Sequence, residues 1–277
     1  MNRYIYNISL FASLTLILLT GHLGVSAQKL PNIQQTNLRA PANIKTDGRA
    51  TEWDNQFQAY NRATNIFYTL SNDDNNLYLT VQAVDEDIIR KIISGRVSLT
   101  INKSGKKSDL DAIVISYPIF DSKNKPVINL KDKPKIVPGS EISLHKADSF
   151  MYVNNKQMTD RAKMIKVMGI KTLDTLISVY NEDGIKAAAL FDNKMSYTVE
   201  MAVSLKLLDL SVNDAAKFSY NLRLNGVAMD DVPGINITRA PNGTILSIDI
   251  HKDQMLPNGQ GMTVPTDFWG EYTLAKK

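Results

Sequence analysis

The segment SNDDNNLYLTVQAVDEDI, from Ser71 to Ile88, contains the clearest strand pattern in the chain. Apolar residues alternate with others there, so that Leu77, Leu79 and Val81 share one side of an extended chain. A period of two is typical of a β-strand with a buried face. The preceding residues, rich in aspartate and asparagine, are typical of a turn. The segment therefore predicts a turn that leads into a strand.

The same two-residue period recurs along the chain and indicates the fold class. The periodic stretches are short and are separated by turn sequences such as Asn181-Glu182-Asp183-Gly184. About ten such strands predict an all-β protein, an antiparallel β-sandwich of jelly-roll-like type with few short helices. One of these helices is predicted over Glu86–Ser94. The predicted strands are Leu77–Val84, Val97–Ile101, Ala112–Tyr117, Met164–Ile170, Leu176–Tyr180, Ile185–Phe191, Tyr197–Val203, Phe218–Leu224, Ile245–Ile250 and Phe268–Leu274.

Two segments interrupt the strand pattern. Asp121–Pro138 is rich in lysine and proline, and Ala228–Thr266 is rich in Gly, Pro, Asn and Asp, with one strand-like stretch inside it. Segments of this composition bury little apolar surface, and long excursions from a compact domain are commonly functional or disordered. Because the sequence shows no internal repeat and no clear linker, residues 28–277 are predicted to form a single β-sandwich domain.

The N-terminal residues predict a processing event. Met1–Ala27 carries one early cation, Arg3, then an apolar core at Ile8–Leu19 and small residues that end at Ala27. The apolar core is shorter than the roughly 20 residues that a membrane-spanning helix needs. We therefore expect a secretory signal peptide cut after Ala27, no integral membrane span in the mature protein, and a secreted or periplasmic location.

Composition argues against several classes of protein. The chain has no cysteine, which excludes a disulfide scaffold, thiol catalysis and a lipoprotein anchor. The formal net charge is +4, but the cations are spread along the chain, so no nucleic-acid partner is expected. His145 and His251 lack a second histidine at metal-binding spacing, and no serine elbow or phosphate loop is present. A pair of glycosidase carboxylates remains open.

Five motifs occur in an order that carries a family resemblance. They are Ile44-Lys45-Thr46-Asp47-Gly48, Glu52-Trp53, the strand-loop-strand Phe67–Asp85, Lys91–Gly95 before the next strand, and Tyr197-Thr198-Val199-Glu200. Together they resemble the family 9 carbohydrate-binding modules and the wider DOMON-like domains. The resemblance implies a β-sandwich, carbohydrate binding as the activity, and calcium ions in some members. These modules hold a sugar between two stacked tryptophans, whereas this chain has only Trp53 and Trp269, and Trp53 lies outside the clamp.

Candidate sugar-binding residues come from the tryptophans and from polar positions in two predicted strands. Trp269 and Trp53 offer aromatic platforms, with packing in the protein as the alternative for each. Glu200, Asn221 and Arg223 are predicted to hydrogen-bond sugar hydroxyls if their strands share a face, and otherwise to form a solvated salt bridge. Other stacking faces are offered by Tyr60, Tyr68, Tyr117, Tyr152 and Tyr220.

The acidic turn before the first strand raises the question of a metal. Asp73, Asp74 and Asn75 offer the hard oxygen ligands that calcium prefers. The same residue types also suit a plain hairpin turn, and the spacing lacks the glycine and the twelfth-position glutamate of an EF-hand. Calcium is therefore the one cofactor for which the sequence offers ligands, with a simple turn as the alternative.

These observations predict an exported protein that binds a polysaccharide or oligosaccharide without catalysis, in the context of carbohydrate breakdown. Recognition would use an aromatic platform and a polar rim. Two alternatives belong to other classes: an envelope structural or protein-interaction module without a sugar site, and a glycoside-active enzyme.

Overall fold

A computed structural model describes residues 29–54, 56–121, 124–214, 216–232, 234–251, 253 and 259–277. The predicted signal peptide, residues 1–27, lies outside these residues. Pro31–Lys277 forms one compact unit.

Strands dominate the described residues. They account for 35% of these residues and helices, 3-10 turns included, for 17%, which confirms the all-β prediction. The strands are β1 Ala59–Asn61, β2 Ile66–Asn72, β3 Asn76–Ala83, β4 Val97–Asn102, β5 Ile113–Ile119, β6 Met164–Met168, β7 Leu176–Ser178, β8 Ile185–Phe191, β9 Tyr197–Ser204, β10 Lys217–Leu224, β11 Ile235–Arg239, β12 Ile245–Ile250 and β13 Thr266–Thr273. The α-helices are α1 Glu86–Gly95 and α2 Glu141–Arg161, and short 3-10 helices cover Thr51–Trp53, Met229–Asp231 and Gly259–Met262.

Two antiparallel sheets make the sandwich. One has the strand order β1-β2-β3-β9-β8, and the other has the order β13-β10-β4-β5-β6-β7. The strands β11 and β12 pair only with each other, as a separate hairpin. Since β9 and β10 are consecutive in the chain but belong to different sheets, the connection between them crosses from one layer to the other.

The core lies between the two sheets and follows the strand alternation. In β3 the side chains of Leu77, Leu79 and Val81 are at most 1% exposed, as the period of two predicts. In β10 the side chains of Phe218 and Tyr220 are buried in the same way from the opposite layer. Both layers contribute to one continuous apolar cluster, which is the packing expected of a β-sandwich.

Helix α1 confirms the helix predicted at Glu86–Ser94. The Asp85 side chain accepts hydrogen bonds from the backbone N–H groups of Asp87 (3.0 Å) and Ile88 (3.2 Å), which is an N-cap. Ile89 and Ile92 face the core and are at most 2% exposed.

Helix α2, which has 21 residues, was not predicted, and the expectation that all helices are short is wrong. Only Ala147, Asn154 and Met158 are buried along it, so most of its surface faces solvent and its sequence lacks a wide apolar stripe. The Ser140 side chain caps its N-terminus through the N–H of Ser143. Neither of the helices in the described ranges has the length and apolar character that a bilayer crossing requires.

The two long excursions have more structure than their composition predicts. The segment around Leu130, which is 4% exposed, packs onto α2. Within Ala228–Thr266, β11 pairs with β12, so this excursion contains two strands where the sequence predicted one. Its base has a small apolar cluster of its own, formed by Val227, Val232, Ile235 and Met262.

Candidate functional site

The outward-facing side of the six-stranded sheet carries polar side chains, and we call it the polar face. Alternation along β10 creates it: Phe218, Tyr220 and Leu222 point into the core, so Asn221 and Arg223 point away from it. The two polar residues that the sequence singled out in this strand therefore lie on one face, as predicted.

Strand register aligns the side chains of the polar face into rows. One row starts at the edge strand with Trp269 and continues through Asn221, Thr100, Val114 and Met168. Because paired residues of antiparallel strands project to the same side, the indole of Trp269 shares this face with the polar residues. Trp269 is half-buried, and its indole N–H has no hydrogen-bond partner among the described residues.

The neighbouring row has more hydrogen-bonding groups. It runs through Asp267, Arg223, Ser98, Ser116 and Lys166. At its centre the hydroxyls of Ser98 and Ser116 are 2.7 Å apart and hydrogen-bond to each other. One row therefore combines a carboxylate, a guanidinium, two hydroxyls and an ammonium group on a rigid sheet.

Arg223 is fixed by two carboxylates. Its guanidinium lies 3.4 Å from the Asp109 carboxylate and 4.0 Å from that of Asp267. Asn221 is fully buried, and its Nδ2 donates to Asp267 (2.6 Å) and to the carbonyl of Phe268 (3.0 Å). Asn221 therefore fixes the Asp267 carboxylate through a hydrogen bond, and its role is to position that side chain.

A depression of about 300 Å³ lies on the polar face. Its floor contains Ser98 and Ser116, and the Nδ2 of Asn225 donates to the Ser98 hydroxyl at 2.8 Å. Its volume is at the lower end of the range, about 300–1,000 Å³, that is typical of small-molecule sites. The lining residues are Arg96, Ser98, Thr100, Asp109, Ala112, Val114, Ser116, Lys166, Met168, Gly169, Arg223 and Asn225.

Trp269 borders a second depression, of about 400 Å³, at the edge strand. Lys107, Lys217 and Glu271 also line it, and both lysines pair with the Glu271 carboxylate, at 3.6 and 3.0 Å. The ring therefore sits beside solvent-accessible polar groups rather than between the sheets.

Glu200 lies on the opposite side of the sandwich. It belongs to the five-stranded sheet, where its carboxylate accepts hydrogen bonds from the N–H groups of Asp47 (3.0 Å) and Gly48 (2.9 Å) and from the Thr80 hydroxyl (3.2 Å). Because β9 and β10 are in different sheets, the structure does not bring Glu200 together with Asn221 or Arg223. Burial raises the pKa of Glu200 to about 7, although these three hydrogen bonds oppose the rise.

Trp53 lies on the same side as Glu200. Its indole Nε1 donates to the Thr80 hydroxyl at 3.2 Å, and Thr80 in turn donates to Glu200. Trp53 and Trp269 are thus associated with opposite outer faces, and the two rings do not form a clamp. The contacts of Trp53 match the packing alternative that the sequence left open.

The side chains of two of the three proposed calcium ligands, Asp73 and Asp74, are engaged by protein groups. Asp73 accepts from the N–H groups of Asn75 and Asn76 (both 2.7 Å) and from the Tyr78 hydroxyl (2.7 Å). The Asp74 carboxylate pairs with Arg39 and Lys277, each at 2.8 Å. No group of three or more acidic, histidine or cysteine side chains suited to a metal occurs in the part of the chain that the structure describes. These contacts favour the turn alternative.

The tyrosines offered as stacking surfaces do not reach the polar face. Tyr68, Tyr117 and Tyr220 are at most 3% exposed and belong to the core. Tyr60 lies in β1 of the other sheet, and Tyr152 lies in α2.

Several residues of the site were not predicted from the sequence. Ser98, Ser116, Lys166, Arg96 and Asp109 come from three strands and two connections. The alternation in β4 does place Ser98 and Thr100 on one side, which is a visible signal. Which residues of the adjacent strands lie beside Ser98 and Thr100 depends on strand order and register, and a single sequence does not reveal either.

Comparison with protein-family models finds no family that matches the chain, and comparison with curated proteins finds no significant match. The geometry of the polar face is therefore the main basis for assigning a function.

Proposed function

We propose that this protein binds carbohydrate without catalysis, through the polar face of its six-stranded sheet. The observation that carries the proposal is the juxtaposition of a partly exposed tryptophan with a row of hydrogen-bonding groups on one rigid surface.

Sugars present hydroxyl groups that both donate and accept hydrogen bonds, and the polar face offers both partners. Arg223 and Lys166 donate, and Asp109 accepts. The indole of Trp269 offers an apolar plane for the C–H face of a sugar ring. A shallow, solvent-facing surface of this kind supports affinity on the order of micromolar.

The resemblance to family 9 carbohydrate-binding modules supports the same activity. This chain differs from those modules in its aromatic groups, since Trp53 and Trp269 are associated with different faces. In our proposal Trp269 acts as a single platform, and Trp53 is a packing residue.

Export is part of the proposal. An N-terminal signal peptide cut after Ala27 would place the protein in the periplasm or outside the cell, where polysaccharides are encountered. Mass spectrometry of the protein recovered from a secreting host tests this, with a mature N-terminus at Gln28 expected.

A glycan array probed with the mature protein tests the binding function. Trp269→Ala is expected to weaken binding by about tenfold or more, because it removes the stacking surface. Trp53→Phe serves as a matched aromatic variant on the opposite side and is expected to bind as the unaltered protein does. Thermal melts confirm that each variant is folded. A folded protein that binds no glycan would defeat the proposal, and sugar products appearing in the same assay would point to a glycoside-active enzyme.

A protein-interaction module is the second candidate, and one observation favours it. The hairpin β11–β12 presents Ile248 and Ile250, which are 46% and 57% exposed. They project to the same side as their partners Ile237 and Ile235. Exposed apolar strands of this kind suit a protein partner. Two results together would favour this candidate. The protein would bind no glycan, and it would associate with itself or with a partner in a way that Ile248→Asp abolishes.

A further inference from the structure

The residues that line the depression of about 300 Å³ carry more positive than negative charges. Among its described lining residues, Arg96, Lys166 and Arg223 are cations and Asp109 is the only carboxylate. Neutral sugars do not require such an excess of positive charge.

The pairing of these groups shows which of the positive charges are free. Asp109 and Asp267 both contact Arg223, and their two negative charges more than balance its single positive charge. Arg96 and Lys166 have no side-chain hydrogen bond or ion pair among the described residues, and both are partly buried. Two unpaired cations that face one depression repel each other, and an anion placed between them gains from both. The unpaired charges are therefore available to a ligand.

We propose that the ligand of the polar face is an anionic glycan, with Arg96 and Lys166 binding its acidic substituents. This inference rests on the carbohydrate-binding function proposed above and names the class of sugar. A guanidinium and an ammonium group both make charge-assisted hydrogen bonds with carboxylate or sulfate oxygens. Ser98 and Ser116, which are 5% exposed and hydrogen-bond to each other, form the floor between these two cations.

The spacing of the cations favours a chain over a single acidic unit. Lys166 lies in β6, two strands away from β4, which Arg96 directly precedes, so the backbones of the two cations are roughly 10 Å or more apart at the usual strand spacing. Arg96 also lines a neighbouring depression of about 360 Å³, together with Ser94, Phe120 and the ion pair of Lys125 and Asp231. Arg96 lines both depressions, so a linear polysaccharide with repeated acidic groups fits this surface.

The test compares Arg96→Gln/Lys166→Gln with a matched control, Lys45→Gln/Arg62→Gln. The control removes the same two charges from exposed positions that line neither depression. The probes are polygalacturonate, dextran sulfate, neutral dextran and a single-stranded oligonucleotide. Titration calorimetry is run at low and at moderate salt, and melts confirm folding.

We expect at least one acidic polysaccharide to bind more tightly than neutral dextran, with the preference reduced by salt. The Arg96/Lys166 double variant should lose about tenfold or more of that affinity, whereas the control should lose less than about twofold. Comparison of polygalacturonate with dextran sulfate identifies which substituent is preferred.

Three results would overturn the inference, and they are distinguishable. Neutral glycan binding that depends on Trp269 but not on Arg96 or Lys166 rejects the anionic class and leaves the carbohydrate function standing. Tighter binding of the oligonucleotide than of either acidic polysaccharide rejects a glycan as the ligand. No binding of any polysaccharide by the folded protein rejects the proposed function as well.

Discussion

The hydroxyl groups of Tyr68 and Tyr220 lie 3.0 Å apart in the interior and connect the two sheets of the sandwich. Both side chains are fully buried, and the Tyr68 hydroxyl also accepts the backbone N–H of Gln34 at 2.8 Å. Burial raises the pKa of both tyrosines, so both remain neutral at physiological pH. A polar pair in the core is tolerated because each hydroxyl has a partner.

The packing of Tyr68 and Tyr220 requires a residue without a Cβ atom at position 270. A Cβ atom at Gly270 would lie 2.3 Å from Cζ and 2.4 Å from the hydroxyl oxygen of Tyr220. Since Tyr220 is packed on all sides, Gly270→Ala is expected to lower the free energy of unfolding by about 1–3 kcal/mol. Gly261→Ala is the control, because nothing lies within 4 Å of its added Cβ. Urea unfolding measures both, and equal stability of the two variants would contradict the packing described here.

The raised pKa of Glu200 predicts that the stability of the protein depends on pH. The pKa of its carboxyl is raised to about 7 in the folded protein, mainly by burial, from an ordinary value of 4.5. The folded state therefore holds more protons than the unfolded state between these values. The unfolding free energy is expected to fall as pH rises from about 4.5 through about 7, by an amount on the order of 3 kcal/mol.

Glu200→Gln isolates this contribution. Its amide oxygen can accept from Asp47 and Gly48 without carrying a charge, so the variant is expected to lose much of the fall in stability between about pH 4.5 and pH 7. Chemical unfolding between pH 5 and pH 8 makes the comparison. Parallel pH profiles for the two proteins would show that Glu200 is not the group responsible.

The sequence predicted the strands well because burial imposes a period of two on them. The predicted bounds Ile185–Phe191 and Ile245–Ile250 are those of β8 and β12. The sequence did not predict that Glu200 and Arg223 lie on opposite sides, because alternation indicates which side of a strand is polar but not which sheet the strand joins. Strand order depends on long-range pairing, such as that of β10 with both β4 and β13.

Helix α2 was missed for a different physical reason. Side-chain hydrogen bonds dock it, and these leave no apolar periodicity in the sequence. Asn154 donates to the carbonyl of Asn129 (2.9 Å) and accepts from its N–H (3.0 Å), while Asn155 makes the same two contacts with the backbone of Phe191, at 2.9 and 2.7 Å.

Asn154→Ala tests this docking. It removes both partners of the Asn129 backbone, and we expect a loss of about 2 kcal/mol in the free energy of unfolding and faster hydrogen exchange at Asn129. Tyr152→Ala, at a 66% exposed position of the same helix, should change stability by less than about 0.5 kcal/mol. Slow exchange at Asn129 in the Asn154 variant would mean that the segment is held by other contacts.

The hairpin at Asp73 is expected to be independent of metal. Burial raises the pKa of Asp73, but hydrogen bonds from the Tyr78 hydroxyl and from the N–H groups of Asn75 and Asn76 outweigh it, and the pKa is lowered overall. The carboxylate thus already has donors at both of its oxygens. Asp73→Ala should lower the free energy of unfolding by about 1 kcal/mol through the loss of this turn.

Melting curves with added calcium and with a chelator separate the turn from a metal site. We expect the same difference between Asp73→Ala and the unaltered protein under both conditions, because the stabilising donors belong to the protein. Tyr78→Phe should reproduce part of the loss, since it removes the hydroxyl that donates to Asp73. A destabilisation that appears only when calcium is present would instead identify Asp73 as a calcium ligand and would reverse the assignment of this segment as a turn.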